Sequence, residues 1–436
     1  MDIEVISRET IKPSSPTLPH LRIYPLSFFD HVLFRHYIPV VYFYEPTSTT
    51  EDREEKSDEV VKKSLSQVLA MYYPLAGRIR DRASIDCNDE GATLLVTRIK
   101  YDLSGLLRNP KEDHLKNLFP HELPWKIVDP HDPLLVVQVN HFVCGGIAIS
   151  VCVSHKVADG CTIFNFVKDW ATIARKFESS GEEKEGEERV ILPRFDGASI
   201  FPLEGLPNYP EIAFARDNTM RCKRFILDAS KIQSLKATIS QKVKNPTRVQ
   251  VVSAVLYKSA VSALSSSSKS SNQPSWLCSW ANLRTRMLPP VPEKTIGNMI
   301  WCYIVSATME EGLNELVYKL KHSLTEFCDT HVEQFGRKDK SFISEILQQA
   351  TSWDPDNTDT VVVDITSWCR FPLYEADFGW GKPIWVTTTC CPHRNCMFLK
   401  DTRDGDGIEV LVNMEENEMA LFEHDVLQYA SVYPGI

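Results

Sequence analysis

The residues best suited to chemistry are Ser154-His155-Lys156-Val157-Ala158-Asp159-Gly160, where a strand-like run gives way to a helical one. Strand ends commonly carry catalytic groups, because a side chain there is held by a rigid element and still faces a cleft. An imidazole with an ordinary pKa of about 6.5 can take a proton at neutral pH, so His155 is a candidate general base; a structural histidine fits the same spacing. Asp159, four residues on, could orient that ring in the manner of a triad. It could equally turn away to a cation. Arg284, in Asn282-Leu283-Arg284-Thr285-Arg286 at the end of a strand in the other half, can bridge to a carboxylate with two N–H groups, and this structural role is the one expected. A second signal is Asp377-Phe378-Gly379-Trp380-Gly381. Gly379 and Gly381 permit a tight turn beside a ligand. Asp377 is a candidate second catalytic residue, and the alternative, favoured by such a turn, is that it braces the turn by accepting backbone N–H groups.

Other constellations carry less. Asp-Phe-Gly is also a kinase motif, but a glycine-rich loop and His-Arg-Asp are missing and the position is too close to the C-terminus. Neither the serine-hydrolase elbow nor the dinucleotide fingerprint occurs. Cys390, Cys391, His393 and Cys396 are all possible zinc ligands, yet adjacent cysteines on a strand point to opposite sides, so no metal is expected. Asp404-Gly405-Asp406-Gly407 resembles the start of a calcium loop without the closing glutamate and reads as a hairpin turn. Cys152 and Cys161 flank the histidine motif and leave a covalent acyl-cysteine route open.

These residues need elements to hold them. Val61, Leu65, Val68, Leu69 and Tyr72 recur at helical spacing between positions 60 and 73, stopped by Pro74. Leu134 to Phe142 and Ile147 to Val153 are strand-like on either side of Cys144-Gly145-Gly146, which predicts a hairpin. Ile163, Phe166, Val167, Trp170 and Ala174 predict a helix from about Gly160. Glu178 to Glu188 is an acidic solvated loop. Pro193, Pro202, Pro207 and Pro210 punctuate an irregular crossover to about Asn218. Beyond it, Lys223 to Leu227 is a strand, Thr247 and Gln250 open a helix with capping-box spacing, and Ser265 to Asn272 is a serine-rich flexible connection. Trp276 to Leu283 is a strand, and Leu313, Leu316, Val317, Leu320 and Leu324 form a helical stripe. The architecture is α/β: an N-terminal domain of 1–205, a crossover of 206–218, and a C-terminal domain of 219–436 with a segment that packs on the first.

The chain has 436 residues, 43% of them hydrophobic, so it can bury more than one core. With 48 Lys and Arg against 58 Asp and Glu, and no basic block, nucleic acid is not an expected partner. The acidic start lacks an apolar signal core, and no apolar run approaches the ~18 residues a membrane span needs. Twelve scattered cysteines read as reduced thiols of a cytoplasmic protein, expected to be a monomer.

The motifs together resemble the BAHD family of plant acyl-CoA-dependent acyltransferases. His155-Lys156-Val157-Ala158-Asp159 is similar to its His-x-x-x-Asp, and Asp377 to Gly381 matches its Asp-Phe-Gly-Trp-Gly, about 220 residues downstream. Further matches are Ile11 to Thr17, Tyr73 to Arg78, Asp86 to Asp89, Asn282 to Arg286 and Gly297-Asn298. The opening and the stretch Ser367 to Tyr374 look most like the alkaloid O-acetyltransferase branch, which also holds acylsugar and volatile-ester enzymes. Thr295-Ile296-Gly297-Asn298-Met299 differs from the family's malonyl-transfer signature, which disfavours a malonyl donor. The resemblance implies two chloramphenicol-acetyltransferase-like domains of mixed sheet plus helices, with a channel at their interface and His155 midway along it. It implies acyl-CoA, most simply acetyl-CoA, as co-substrate with no other cofactor. The acceptor is then a small-molecule alcohol, and Asn298 and the Trp380 indole are candidates for CoA binding or for stabilising the oxyanion. Another acyl donor, or a catalytically silent binding protein, are the competing readings.

Overall fold

Three nearly continuous apolar runs, Tyr37–Tyr44, Leu135–Phe142 and Ile147–Ser154, lie side by side in a six-stranded sheet, and every residue in them is buried. Runs without polar alternation are what a sheet covered on both faces requires. The computed structural model describes residues 1–46, 51–178, 190–212, 219–267, 275–308, 310–352 and 360–435. The strands Leu135–Phe142 and Ile147–Ser154 form the expected hairpin, with Val139 opposite Ile149 and Gly145 supplying a positive φ of 81° at the turn. One side of this sheet packs on two helices, Glu51–Met71 and Gly160–Glu178. They are joined by the Trp170 indole N–H donating to Ser64 Oγ at 2.9 Å and the Tyr72 hydroxyl donating to Asp169 at 2.6 Å.

The first of these helices begins nine residues before the apolar stripe that predicts it. Its opening turns are almost all charged residues, so hydrophobic periodicity is silent there. The helix Arg248–Ser267 opens with the expected reciprocal cap, the Thr247 N–H to Gln250 at 3.0 Å and the Gln250 N–H to Thr247 Oγ1 at 3.2 Å. It then runs three residues into the serine-rich stretch, correcting the reading of that stretch as connection from Ser265. The Ser266 hydroxyl donates to the Ser262 carbonyl one turn back, at 2.8 Å, so serine here fits the helix. The rest of the serine run, the acidic loop after Glu178 and the end of the crossover lie outside the described residues.

The second sheet has seven strands, in the order Ile300–Ala307, Ser275–Asn282, Val361–Ser367, Cys396–Asp401, Ile408–Met414, Arg221–Leu227 and Ser431–Val432. Its middle pairings are parallel and the outer ones antiparallel. Residues 402–407 make the hairpin turn read from Asp404 to Gly407. Leu277, Val363, Ile365, Met397 and Leu399 point from this sheet into a core shared with the helices Arg248–Ser267 and Leu313–Phe327. The opposite face turns toward the first half, since Cys396 and Phe398 belong to the core of the first sheet. The two halves also exchange chain: Trp385–Thr387 completes the first sheet by pairing with Tyr37–Tyr44.

Candidate active site

His155 follows the last residue of the strand Ile147–Ser154, at the junction of the two halves. Its backbone N–H donates to the His36 carbonyl at 2.8 Å, and its carbonyl accepts the Asn298 side-chain N–H at 2.7 Å. The backbone of the candidate base is therefore held from both sides. The ring packs edge-on against Phe34, with centroids 4.7 Å apart. Its Nδ1 is enclosed without a hydrogen-bond partner, which leaves Nε2 as the nitrogen that can meet a substrate. Burial pulls the imidazole below its ordinary pKa, so it is neutral and able to accept a proton at neutral pH.

Asp159 does not touch that ring. One carboxylate oxygen caps the helix Gly160–Glu178 through the Thr162 N–H at 2.9 Å, and the other accepts the Met299 N–H at 3.1 Å. Arg284 grips both oxygens, at 2.7 and 3.2 Å, and also donates to the carbonyls of Thr295 and Gly297. Both side chains are buried. Burial alone would push the Asp159 carboxyl up, but the guanidinium and the two backbone N–H groups hold it below the ordinary carboxylate range. The triad arrangement is thus absent, and the bidentate pair sews the His155 loop to the segment 295–299.

That segment reaches His155 through a carboxylate the motifs did not reveal. Asp30 Oδ1 accepts the Asn298 N–H at 2.7 Å and its side-chain N–H at 2.8 Å, and Oδ2 accepts from the backbone and hydroxyl of Ser27. Gly297, at φ 114°, lies so close that a Cβ would stand 3.2 Å from Asp30 Oδ2. Both amide hydrogens of Asn298 are therefore committed, to Asp30 and to the His155 carbonyl, and the residue is fully buried. It has none left for an oxyanion and no surface for CoA, so its role as a candidate for either is corrected to positioning. A local signal for Asp30 did exist, since Ser27-x-x-Asp30 is a capping box before an apolar run.

The Asp377 motif is elsewhere. The Tyr44 hydroxyl donates to the Ala376 carbonyl at 2.8 Å, and Trp380 packs on Tyr44 with centroids 5.8 Å apart. Tyr44 ends the strand whose first residue, Tyr37, pairs with Ser154. Seven steps of about 3.3 Å put these ends about 23 Å apart. Neither Asp377 nor the Trp380 indole can reach a group reacting at His155, which overturns Asp377 as a catalytic residue and Trp380 as an oxyanion donor. Asp377 Oδ1 instead accepts the N–H groups of Gly379 at 2.8 Å and Gly381 at 3.0 Å. Both glycines have positive φ, 102° and 94°, as that turn demands. Phe378 is buried against Trp170, so the motif clamps the second half onto the first.

A substitution checks this. Asp377→Asn keeps an acceptor oxygen and should leave kcat within about tenfold, whereas Asp377→Ala should cost about 1.5–3 kcal/mol of stability through lost charge-assisted bonds. Melting temperature, CoA affinity and kcat measured together decide it. A fall in kcat beyond ~100-fold with the other two unchanged would return the aspartate to the chemistry.

In the cysteine and histidine cluster near position 393, Cys396 stays in contact with Cys391, whereas Cys390 and His393 turn to other partners. The Cys391 N–H donates to Asn413 at 2.8 Å, Cys390 Sγ to the Met220 carbonyl at 3.8 Å, and the His393 ring lies 5.6 Å from that of His36 and 6.1 Å from Phe34. Among the described residues no group of three or more His, Cys, Asp or Glu is disposed to hold a metal ion. Phe34, His36, His393 and Trp125 thus gather beside His155, and sequence spacing revealed none of them as site residues. Burial pushes the Cys161 thiol up to about 12 and that of Cys152 higher still, which disfavours an acyl-cysteine at either.

Two α/β halves thus meet at a buried histidine whose ring is free to accept a proton at Nε2. Residues 1–428 match the profile of the Transferase family, so the chain belongs to that family, the BAHD acyltransferases. It is similar to vinorine synthase, whose crystal structure superposes with a TM-score of 0.84 at 33% identity, covering 99% of this chain and 100% of that one. It is 37% identical to a 17,18-epoxy-17-hydroxycur-19-ene N-malonyltransferase of Strychnos nux-vomica, over 99% of this chain and 91% of that protein. It is 35% identical to stemmadenine O-acetyltransferase of Catharanthus roseus, over 98% and 97%. The chain is an acyl-CoA-dependent acyltransferase. Among the described residues no helix is long and apolar enough to cross a membrane.

Proposed function

We propose that this enzyme moves an acetyl group from acetyl-CoA to a hydroxyl of a plant specialised metabolite such as an alkaloid, with His155 as general base. The observation that carries the reading is the His155 ring itself, kept neutral by burial, with its backbone tied to both halves. Nε2 takes the hydroxyl proton as the oxygen attacks the thioester carbonyl. The tetrahedral oxyanion then collapses, the C–S bond breaks, and the departing thiolate recovers the proton from the imidazolium. Binding both substrates at one base supplies the proximity advantage, worth several kcal/mol in favourable cases. Asp159 and Arg284 hold the histidine loop, and Gly379, Trp380 and Gly381 brace the interface.

On this reading residues 1–205 and 219–436 are the two domains, 206–218 joins them, and a channel between them admits CoA and the acceptor from opposite sides. The protein works as a cytoplasmic monomer, in keeping with twelve free thiols, and needs no cofactor besides the acyl-CoA, which is consumed. The test is to offer acetyl-, malonyl- and longer acyl-CoAs with a panel of alcohols, following free thiol and product mass. Thiol release that depends on acceptor and is fastest with acetyl-CoA is expected; preference for malonyl-CoA, or no turnover with any pair, would overturn the reading.

The pH profile is a second check. Because burial depresses the His155 pKa, kcat/KM should rise with pH along one ascending limb centred below 6.5 and then level off. A midpoint above 7 would mean that another group is the base.

A further inference from the structure

Where the second sheet turns toward the first half, the strands Ile300–Ala307, Ser275–Asn282 and Val361–Ser367 present a single carboxylate, Asp364, on that face. Strand alternation places Trp276, Cys278, Trp280 and Asn282 on this face, half-buried, while Leu277 and Ala281 point to the cores behind. Cys302 lies opposite Trp280, and Ile304, opposite Cys278, is 54% exposed. In the next strand Asp364 pairs with Cys278 on one side and with Cys396 on the other. Its Oδ1 accepts the Trp280 indole N–H at 2.8 Å. Among the described residues no Lys or Arg pairs with it. In its ionised form a carboxylate enclosed in this way is costly without an opposite charge beside it.

This face leads to the base. At one end of it Asn282 accepts the Arg284 N–H at 3.1 Å, and Arg284 grips the Asp159 loop. Along the adjacent strand, Trp368 packs on Phe164 in the first turns of the helix that follows His155. Four residues separate Asp364 from Trp368, about 13 Å at strand spacing.

Resting on the acyl-transfer reading above, we propose that Asp364 recognises the acceptor: it pairs with a protonated amine of the alcohol substrate, which lies along the Trp280 face with its hydroxyl at His155. The chemical class is an amino alcohol with nitrogen and hydroxyl on the order of 10 Å or more apart, a polycyclic or long-armed amine. A cation beside an indole face gains from the ring quadrupole as well as from the carboxylate. Burial pushes the Asp364 carboxyl up to about 7, and an arriving ammonium would favour its ionised form.

The experiment uses the full chain with acetyl-CoA and ω-(dimethylamino)alkan-1-ols of six to about twelve carbons, each beside its uncharged isostere ending in isopropyl. The readout is the preference, the ratio of kcat/KM for amine over isostere. Wild type should prefer the longer amines at least ~10-fold, Asp364→Asn should lower that preference at least ~10-fold through KM, and Asp364→Glu should restore part of it. No preference in wild type, or one unchanged in Asp364→Asn, overturns the proposal. Should Asp364→Asn fail to fold, wild type decides alone: the preference should fall as pH drops through about 7, while the amine stays charged. The other titratable groups that face Asp364 are the thiols of Cys278 and Cys396, held protonated by their contacts with Cys302 and Cys391 and by burial. A preference that does not change with pH overturns it equally. Failure of the acyl-transfer reading looks different, because then neither amine nor isostere releases thiol from any acyl-CoA.

Discussion

His155→Ala is expected to lower kcat roughly 10²- to 10⁴-fold while CoA affinity and the cooperative unfolding transition persist. The loss is large because neither motif carboxylate can take over. Asp159 is spent on Thr162, Met299 and Arg284, and Asp377 is at the far end of a strand. The fold survives because the residue is held mainly by its backbone, through the His36 carbonyl and Asn298, and those bonds do not need the imidazole. A modest drop in melting temperature should accompany the vacated contact with Phe34. Single-turnover measurement with saturating acyl-CoA separates the chemical step from product release. Transfer at a near wild-type rate would dismiss His155 as the base.

The second large effect is structural. Either Asp159→Asn or Arg284→Met alone should cost about 3–5 kcal/mol, because each leaves one charge uncompensated in a fully buried site. The damage should spread to catalysis. Arg284 also holds the carbonyls of Thr295 and Gly297, and freeing them loosens Asn298, which positions the His155 carbonyl. The double variant Asp159→Asn with Arg284→Met should therefore cost less than the sum of the single changes, the mark of a coupled pair. Denaturant melts of the four proteins measure the coupling; additive losses would show that the two residues act independently. The pH dependence has a definite sign. The folded-state pKa of Asp159 is depressed, so its contribution is fully present above the ordinary value of 3.8 and is lost as pH falls through the lower folded one. Stability measured from pH 6 down to pH 3 should fall less steeply near pH 4 for Arg284→Met than for wild type.

Legibility followed locality. The hairpin before His155, the helix after Gly160 and the cap at Thr247 are each written in neighbouring residues, through apolar period, turn glycines and reciprocal capping. Asp159 with Arg284 was readable although 125 positions separate them, because a buried carboxylate at a helix start needs a cation and a strand-ending arginine is a good one. Asp377 misled for the opposite reason. A compact motif of an acid, glycines and an indole looks like chemistry, and only the pairing of Trp385–Thr387 with Tyr37–Tyr44 shows that it ends up beside Tyr44.

The sequence by itself determined the hairpin before His155, the helix after it and which histidine stands at that strand-to-helix junction, because those choices depend on backbone propensity and side-chain period within a few residues. Only the tertiary structure decided what surrounds that histidine. Asp30, Phe34, His36, Asn298 and His393 come from three distant stretches, and sheet register and the crossing of chain between the halves bring them together. The same holds for Asp364, an unremarkable residue in a strand until register sets it beside Trp280 on the face that leads to His155. Register depends on burying whole faces at once, a global quantity that no local window of residues contains.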